Sequence, residues 1–245
     1  NDEDIYLAGL VAENSGTVED SKIEIYGTLN NNRSSNVYFA GVVGLNDGVV
    51  KNCTTVTARV QADTVDMGGI VAVNNNLIEK CSNDITLVQT SAKEWHPNTA
   101  GVCITNHGKI DGCVNTAEVS AESTVAAKSG DSDYAVIVGG IVCDNYGGIY
   151  NSKNSGKIVA KGDISVCYAG GVAARNILTD VRAIVEKCQS SNDEENIIFA
   201  FSKSGLVCVG GIVGHNSSEV VKSGFVGNID ANTNFADTTK VACYV

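Results

Sequence analysis

The chain has 245 residues, of which 43% are hydrophobic and only 18% are charged, a composition typical of a folded domain rather than a disordered one. The 28 acidic and 17 basic residues give a formal net charge of −11, which argues against a protein that follows nucleic-acid phosphates. A single Pro and 26 Gly, together with many Val and Asn, indicate an all-β fold rich in tight turns.

The first residues of the chain are polar and acidic, and they contain neither an initiator Met nor an apolar leader. We therefore expect a fragment of a longer protein, with residues 1–245 forming one repeat domain. No apolar run approaches the roughly 18 residues that a membrane helix requires, so membrane insertion is not expected.

A repeated unit runs through the chain from one end to the other. Each unit starts at an anchor glycine followed by two or three small or apolar residues, and these glycines are Gly9, Gly41, Gly69, Gly101, Gly140, Gly171 and Gly211. Successive anchors are about 34 residues apart on average.

Other positions recur at fixed distances from the anchor. An Asn stands five residues after every anchor, at Asn14, Asn46, Asn74, Asn106, Asn145, Asn176 and Asn216. A Val or Ile follows nine residues after most anchors, and a Cys or Ser twelve residues after, including Cys53, Cys81 and Cys113. In the sixth unit Cys188 arrives five residues late, after the insertion 177–187.

This pattern predicts a parallel β-helix, or β-solenoid, of about seven coils with three short strands in each coil. One coil cannot bury its inner face, but stacked coils share a continuous core. Coils stacked about 4.8 Å apart would place the Asn residues in a ladder, with each amide bonded to its own turn and to the next coil. We expect the left-handed turn conformation at the Asn and at the Gly that often follows it.

Three segments carry the repeat most clearly: 40–53 (AGVVGLNDGVVKNC), 139–149 (GGIVCDNYGGI) and 210–217 (GGIVGHNS). They resemble the GLUG repeat, a short motif of large bacterial surface and secreted proteins that include adhesin-like proteins. The resemblance covers all seven units. It implies an extracellular, surface-attached or secreted β-solenoid without catalytic residues.

The cysteines are interpreted as structural. Cys53, Cys81, Cys113 and Cys188 occupy one column, where buried thiols acting as small hydrophobes are favoured over disulfides. No Cys-x-x-Cys or Cys/His cluster occurs, so neither zinc nor another cofactor is expected. The three histidines are interpreted as exposed turn residues.

The long units carry the candidate binding loops. One loop contains Asp131 and Asp133, and the other contains the acidic run Asp193, Glu194 and Glu195. Because insertions between repeats often form the binding face, we expect partner contacts there. Residues 177–187 carry apolar side chains at helical spacing and predict one short helix.

Two classes of function compete. The favoured one is a non-catalytic structural or adhesive module, whose partners are flanking repeats of the same protein and possibly a host glycan or surface protein. The alternative is a polysaccharide lyase or hydrolase, because β-helices often support such enzymes, which need carboxylates that converge on one face. Binding of a ligand by the side loops, without catalysis, is a third possibility.

Overall fold

The computed structural model describes residues 4–31, 36–56, 58–91, 96–124, 135–163, 166–193, 195–203, 205–233 and 243–244. Every strand pairing is parallel and joins equivalent segments of successive units. Seven coils therefore stack into a parallel β-solenoid, which confirms the predicted fold. In the described part of the chain, no helix is long and apolar enough to span a membrane.

Five parallel sheets, named A to E in the order in which a coil passes through them, run along the stack. Sheet A consists of β1 Ile5–Ala8, β6 Val37–Ala40, β11 Asp66–Gly68, β16 Asn98–Ala100, β21 Ala135–Gly139, β26 Val166–Gly170, β31 Leu206–Gly210 and β36 Cys243–Tyr244. Sheet B consists of β2 Val11–Asn14, β7 Val43–Asn46, β12 Val71–Asn74, β17 Cys103–Asn106, β22 Val142–Asn145, β27 Ala173–Asn176 and β32 Val213–Asn216.

The other three sheets complete each coil. Sheet C consists of β3 Thr17–Glu19, β8 Val49–Lys51, β13 Leu77–Glu79, β18 Lys109–Asp111, β23 Gly148–Tyr150, β28 Ile184–Glu186 and β33 Glu219–Val221. Sheet D consists of β4 Lys22–Ile23, β9 Thr54–Thr55, β14 Ser82–Asn83, β19 Val114–Asn115, β24 Lys153–Asn154, β29 Gln189–Ser191 and β34 Gly224–Val226. Sheet E consists of β5 Gly27–Asn30, β10 Ala58–Asp63, β15 Ile85–Ser91, β20 Val119–Ser123, β25 Ile158–Gly162, β30 Ile198–Ser202 and β35 Ile229–Thr233.

Each coil thus has five short strands instead of the three that the sequence predicts. The run after each anchor is divided between sheets B and C, and the following run between sheets D and E. The divisions fall at short polar corners, such as Asp47 and Gly48 between β7 and β8 or residues 116–118 between β19 and β20. Hydrophobic patterning cannot resolve a corner of this kind, because inward residues continue on both sides of it.

The aliphatic column of sheet C fills the centre of the solenoid. Its members are Val18, Val50, Ile78, Ile110, Ile149 and Val185. The side chains of the inner coils are completely buried, whereas Val220, in the last coil, is 40% exposed. The core is therefore continuous along the axis, and each coil covers the apolar face of its neighbour.

The anchor glycines are required because the interior has no space for a side chain there. A Cβ on Gly101 would overlap the backbone oxygen of Gly140 in the next coil and the side chain of Asn115 across the coil. The anchors Gly69 and Gly140 meet the same two kinds of neighbour. None of the anchors has a positive φ, so it is close approach that selects glycine here.

The left-handed corner lies elsewhere than the sequence predicts. Neither the ladder Asn nor the following Gly has a positive φ; instead φ lies between 50° and 65° at the residue before each Cys/Ser position. These corner residues are Asp20, Asn52, Lys80, Gly112, Asn151, Lys187 and Lys222. Their variety hid the corner, since only Asn, Asp and Gly adopt this conformation routinely.

The helix predicted over residues 177–187 is wrong. Its last part forms β28 of sheet C, with Val185 paired to Ile149 and Val220 of the neighbouring coils. Residues 177–183 form an irregular segment that bends at 179–181, in which Leu178 and Val181 are exposed and Ala183 is buried. Pairing of β28 with β23 and β33, together with burial of Val185 in the aliphatic column, stabilises the strand more than local periodicity stabilises a helix. The extra residues of the insertion lie before this strand.

Replacing Gly101 with Ala tests the spacing of the coils. The added methyl group meets backbone as well as the Asn115 side chain, and the backbone cannot move aside, so we expect a loss of about 3 kcal/mol in the free energy of unfolding. Gly27→Ala is the matched control, because a Cβ at Gly27 meets nothing within 4 Å. The free energy of unfolding of that variant should be unchanged or higher by about 0.4–1 kcal/mol. Urea denaturation would measure both, and equal stabilities would contradict the close approach of the coils.

Candidate functional site

The Asn column forms a hydrogen-bonded ladder along the edge of sheet B. Each Nδ2 donates to the Oδ1 of the next Asn at 2.8 Å, through all six steps from Asn14 to Asn216. In most coils the same amide donates to the carbonyl two residues further on, as from Asn106 to Gly108 at 3.2 Å. The side chains of the five inner members are fully buried. The amide therefore closes its own turn and joins adjacent coils.

A second ladder, which the sequence analysis missed, lies at the end of sheet D. Asn83 Nδ2 donates to Asn115 Oδ1, and Asn115 Nδ2 donates to Asn154 Oδ1, both at 2.8 Å. At one end Thr55 donates to Asn83, and at the other the buried hydroxyl of Ser190 has no hydrogen-bond partner among the described residues. The signal was a recurring Asn two residues after the Cys/Ser position, present in only three units.

The Cys/Ser column satisfies backbone groups at the left-handed corner. The N–H of Cys53 donates to the Sγ of Cys81, and the N–H of Cys81 to the Sγ of Cys113, both at 3.4 Å. Further along, the N–H of Cys113 donates to the hydroxyl of Ser152, and that of Cys188 to the hydroxyl of Ser223, both at 3.1 Å. Each thiol or hydroxyl also donates to the carbonyl two residues earlier, so Cys and Ser are interchangeable here.

The cysteine thiols are enclosed in the interior of the solenoid. The eight cysteines from Cys53 to Cys208, including Cys103 and Cys143 of sheet B, are buried and free. Burial raises the pKa of the Cys188 thiol to about 11 and that of the Cys167 thiol to about 12. The hydrogen bond to Cys81, together with burial, raises the pKa of Cys53 as well. Because the thiolate is the nucleophile, these groups are unsuited to covalent catalysis near neutral pH.

The predicted binding loops are only partly described. Asp131, Asp133 and Glu194 lie outside the described residues. The carboxylate of Asp193 accepts hydrogen bonds from the backbone N–H groups of Glu195 and Asn196, at 3.0 and 2.9 Å. These bonds lower the pKa of Asp193 and hold the turn before β30 in place. Asp193 thus has a local structural role.

The histidines are spread over the molecule. His107 stacks on Tyr146, with ring centroids 5.0 Å apart, and His215 meets the ring of Tyr168 edge-on at 5.8 Å. His96 accepts a hydrogen bond from the backbone N–H of Ala135. Within the described ranges, no three His, Cys, Asp or Glu side chains are grouped so that they could hold a metal ion.

The outer face of sheet E carries a groove of about 320 Å³. Its floor is the column Val88, Ser120, Val159 and Phe199, which are paired in register across four successive coils. Val159 points outward from the sheet but is only 8% exposed, while Phe199 is half-buried. Along the solenoid axis this floor spans three strand spacings, or about 14 Å.

Charged side chains form the two walls of the groove. On one side Lys157 Nζ lies 4.0 Å from a carboxylate oxygen of Glu118 in the preceding coil. On the other side Glu122 and Lys161 are neighbours in register, and Lys161 Nζ lies 5.7 Å from the centre of the Phe199 ring. Each wall therefore has an acid in the fourth coil and a base in the fifth, so the groove carries no net charge.

This groove is not evident from the sequence, because its residues do not recur at equivalent positions of the repeat. Where β30 has Phe199 and Phe201, equivalent positions of the preceding coils hold Val, Ser, Thr, Lys and Glu. The alternation in β30 of buried Ile, Ala and Ser with two half-buried Phe was the available signal. This alternation indicates a groove only when the register of sheet E shows which residues of the neighbouring coils lie beside the two Phe side chains.

Alkaline pH should destabilise the protein through its buried thiols. The folded-state pKa of Cys188 is raised above the value of about 8.5 that an unfolded thiol has. The stabilisation is fully present below pH 8.5 and is lost as the pH rises towards 11. Cys188→Ser, which keeps a hydrogen-bonding group as at Ser152, should lose less stability between pH 8.5 and 11. Urea denaturation across this range would reveal the difference, and parallel pH profiles would contradict it.

Comparison with protein-family models, with curated proteins and with solved structures found no match.

Proposed function

We propose that the chain is a non-catalytic structural and adhesive repeat module of a bacterial cell-surface or secreted protein, located outside the cell. The resemblance of its seven units to the GLUG repeat supports this assignment. Flanking repeats or domains of the same protein are its proposed partners, together with a host glycan or surface protein. The module needs no cofactor in this proposal.

The observation that carries the structural part of the proposal is the continuity of the Asn ladder through all seven coils. Together with the shared core and five parallel sheets, the ladder links each coil to the next. Seven coils at about 4.8 Å give a rod on the order of 34 Å long. A rod of this kind suits a stiff spacer that holds a binding surface away from a cell.

The arrangement of carboxylates favours binding over catalysis. Glycosidases use two carboxyl groups about 5–9.5 Å apart on either side of the bond that is cleaved. In the sheet E groove, Glu118 and Glu122 are four residues apart along extended backbone, a separation of about 13 Å. Moreover, Lys157 Nζ lies 4.0 Å from a carboxylate oxygen of Glu118, so this acid already has a basic neighbour.

The proposal predicts that the chain does not cleave polysaccharides. We expect no new reducing ends and no unsaturated products when the protein is incubated with a panel of acidic and neutral glycans. On a separate array of glycans and surface proteins, we expect the chain to bind at least one component. Products that accumulate in proportion to protein concentration, and disappear in Glu118→Gln, would establish the rival enzymatic function.

A further inference from the structure

We propose that the groove on sheet E binds an uncharged oligosaccharide that lies along the solenoid axis, with its sugar rings over the floor formed by Val88, Ser120, Val159 and Phe199. This inference deepens the proposed adhesive function and rests on it.

The floor is suited to the apolar face of a sugar ring. Val159 and Phe199 stand side by side in adjacent coils, and Ile197 flanks them. A pyranose presents C–H groups on its ring faces, and these pack on aromatic and aliphatic side chains as other apolar surfaces do. Ser120 interrupts the apolar column and offers a hydroxyl group within it.

The walls are suited to the hydroxyl groups around the edge of the ring. Carboxylates accept hydrogen bonds and ammonium groups donate them, whereas a sugar hydroxyl can do both. An acid and a base stand on each side of the floor, Glu118 with Lys157 and Glu122 with Lys161. A ring on the floor would therefore have both donors and acceptors along both of its edges.

The charge balance selects an uncharged ligand. Each basic side chain of the walls has an acidic neighbour, so the groove has no excess positive charge for an anionic glycan. The chain as a whole carries a net charge of −11, which adds long-range repulsion of anions. A lipid chain would use none of the hydrogen-bonding groups of the walls.

The groove includes residues of both long units identified from the sequence. Glu122 is on the strand that leads into the segment 125–134, and Ile197 follows the acidic run that includes Asp193. The binding surface is thus assigned to strands of sheet E that adjoin the two insertions in sequence.

Affinity electrophoresis of the whole 245-residue chain tests this assignment. The probes are soluble mannan, galactan and mixed-linkage glucan as neutral polysaccharides, and polygalacturonate as the acidic one. We expect at least one neutral polysaccharide to retard the protein and polygalacturonate to have no effect. Retardation by polygalacturonate alone, or by none of the four, would overturn the assignment without affecting the proposed role as a non-catalytic spacer.

Matched variants locate the binding surface. Phe199→Leu keeps an apolar side chain but removes the ring, and it should weaken binding about five- to tenfold. Tyr150→Leu is the matched control. It removes a ring on sheet C that also lies close to a lysine, with Lys109 Nζ 5.4 Å from the ring centre. This variant should bind normally. The double variant Glu122→Ala, Lys161→Ala removes the hydrogen-bonding groups of one wall, changes exposed side chains only and should also weaken binding. Equal affinities in all of these variants would place the ligand elsewhere.

Discussion

The spacing between successive coils governs the rest of this structure. Parallel strand pairing fixes that spacing at about 4.8 Å in all five sheets at once, so every inward position must fit beneath its own copy in the next coil. At the anchor position only glycine fits, because the carbonyl of the next anchor occupies the place of a Cβ. At the ladder positions an amide fits, because it is both donor and acceptor and can bond to its own copy.

The same constraint separates structural from functional positions. The anchor, ladder and Cys/Ser columns, which face the interior, repeat with little variation, and their polar side chains are already used in bonds between coils. Outward positions of the sheets have no such requirement, and side chains there can differ from one coil to the next. The groove on sheet E, with Phe199 and Val159 on its floor, uses this freedom. Recognition is therefore expected from residues that break the repeat.

The repeat predicted the fold and left much of the surface undetermined. The spacing of Gly, Asn, aliphatic and Cys/Ser positions was sufficient for a seven-coil stack, because each column has a strict packing requirement. The second ladder was overlooked because Asn occupies this position in only three of the seven units, and the other four have Ile23, Thr55, Ser190 and Phe225. The helix was predicted from local periodicity. The same residues instead form a strand of sheet C, in which Val185 pairs with Ile149. The groove depends on neighbours from four coils, which no single unit encodes.

A double-mutant cycle on Asn106 and Asn145 tests most directly whether the ladder joins the coils. Each single change to Ala leaves the partner amide buried with an unmade hydrogen bond, and should cost about 1–3 kcal/mol in the free energy of unfolding. Because the double variant removes both partners, its cost should be smaller than the two single costs combined by about 0.5–3 kcal/mol. Strictly additive costs would mean that the two amides do not interact, and would contradict the ladder as the link between coils.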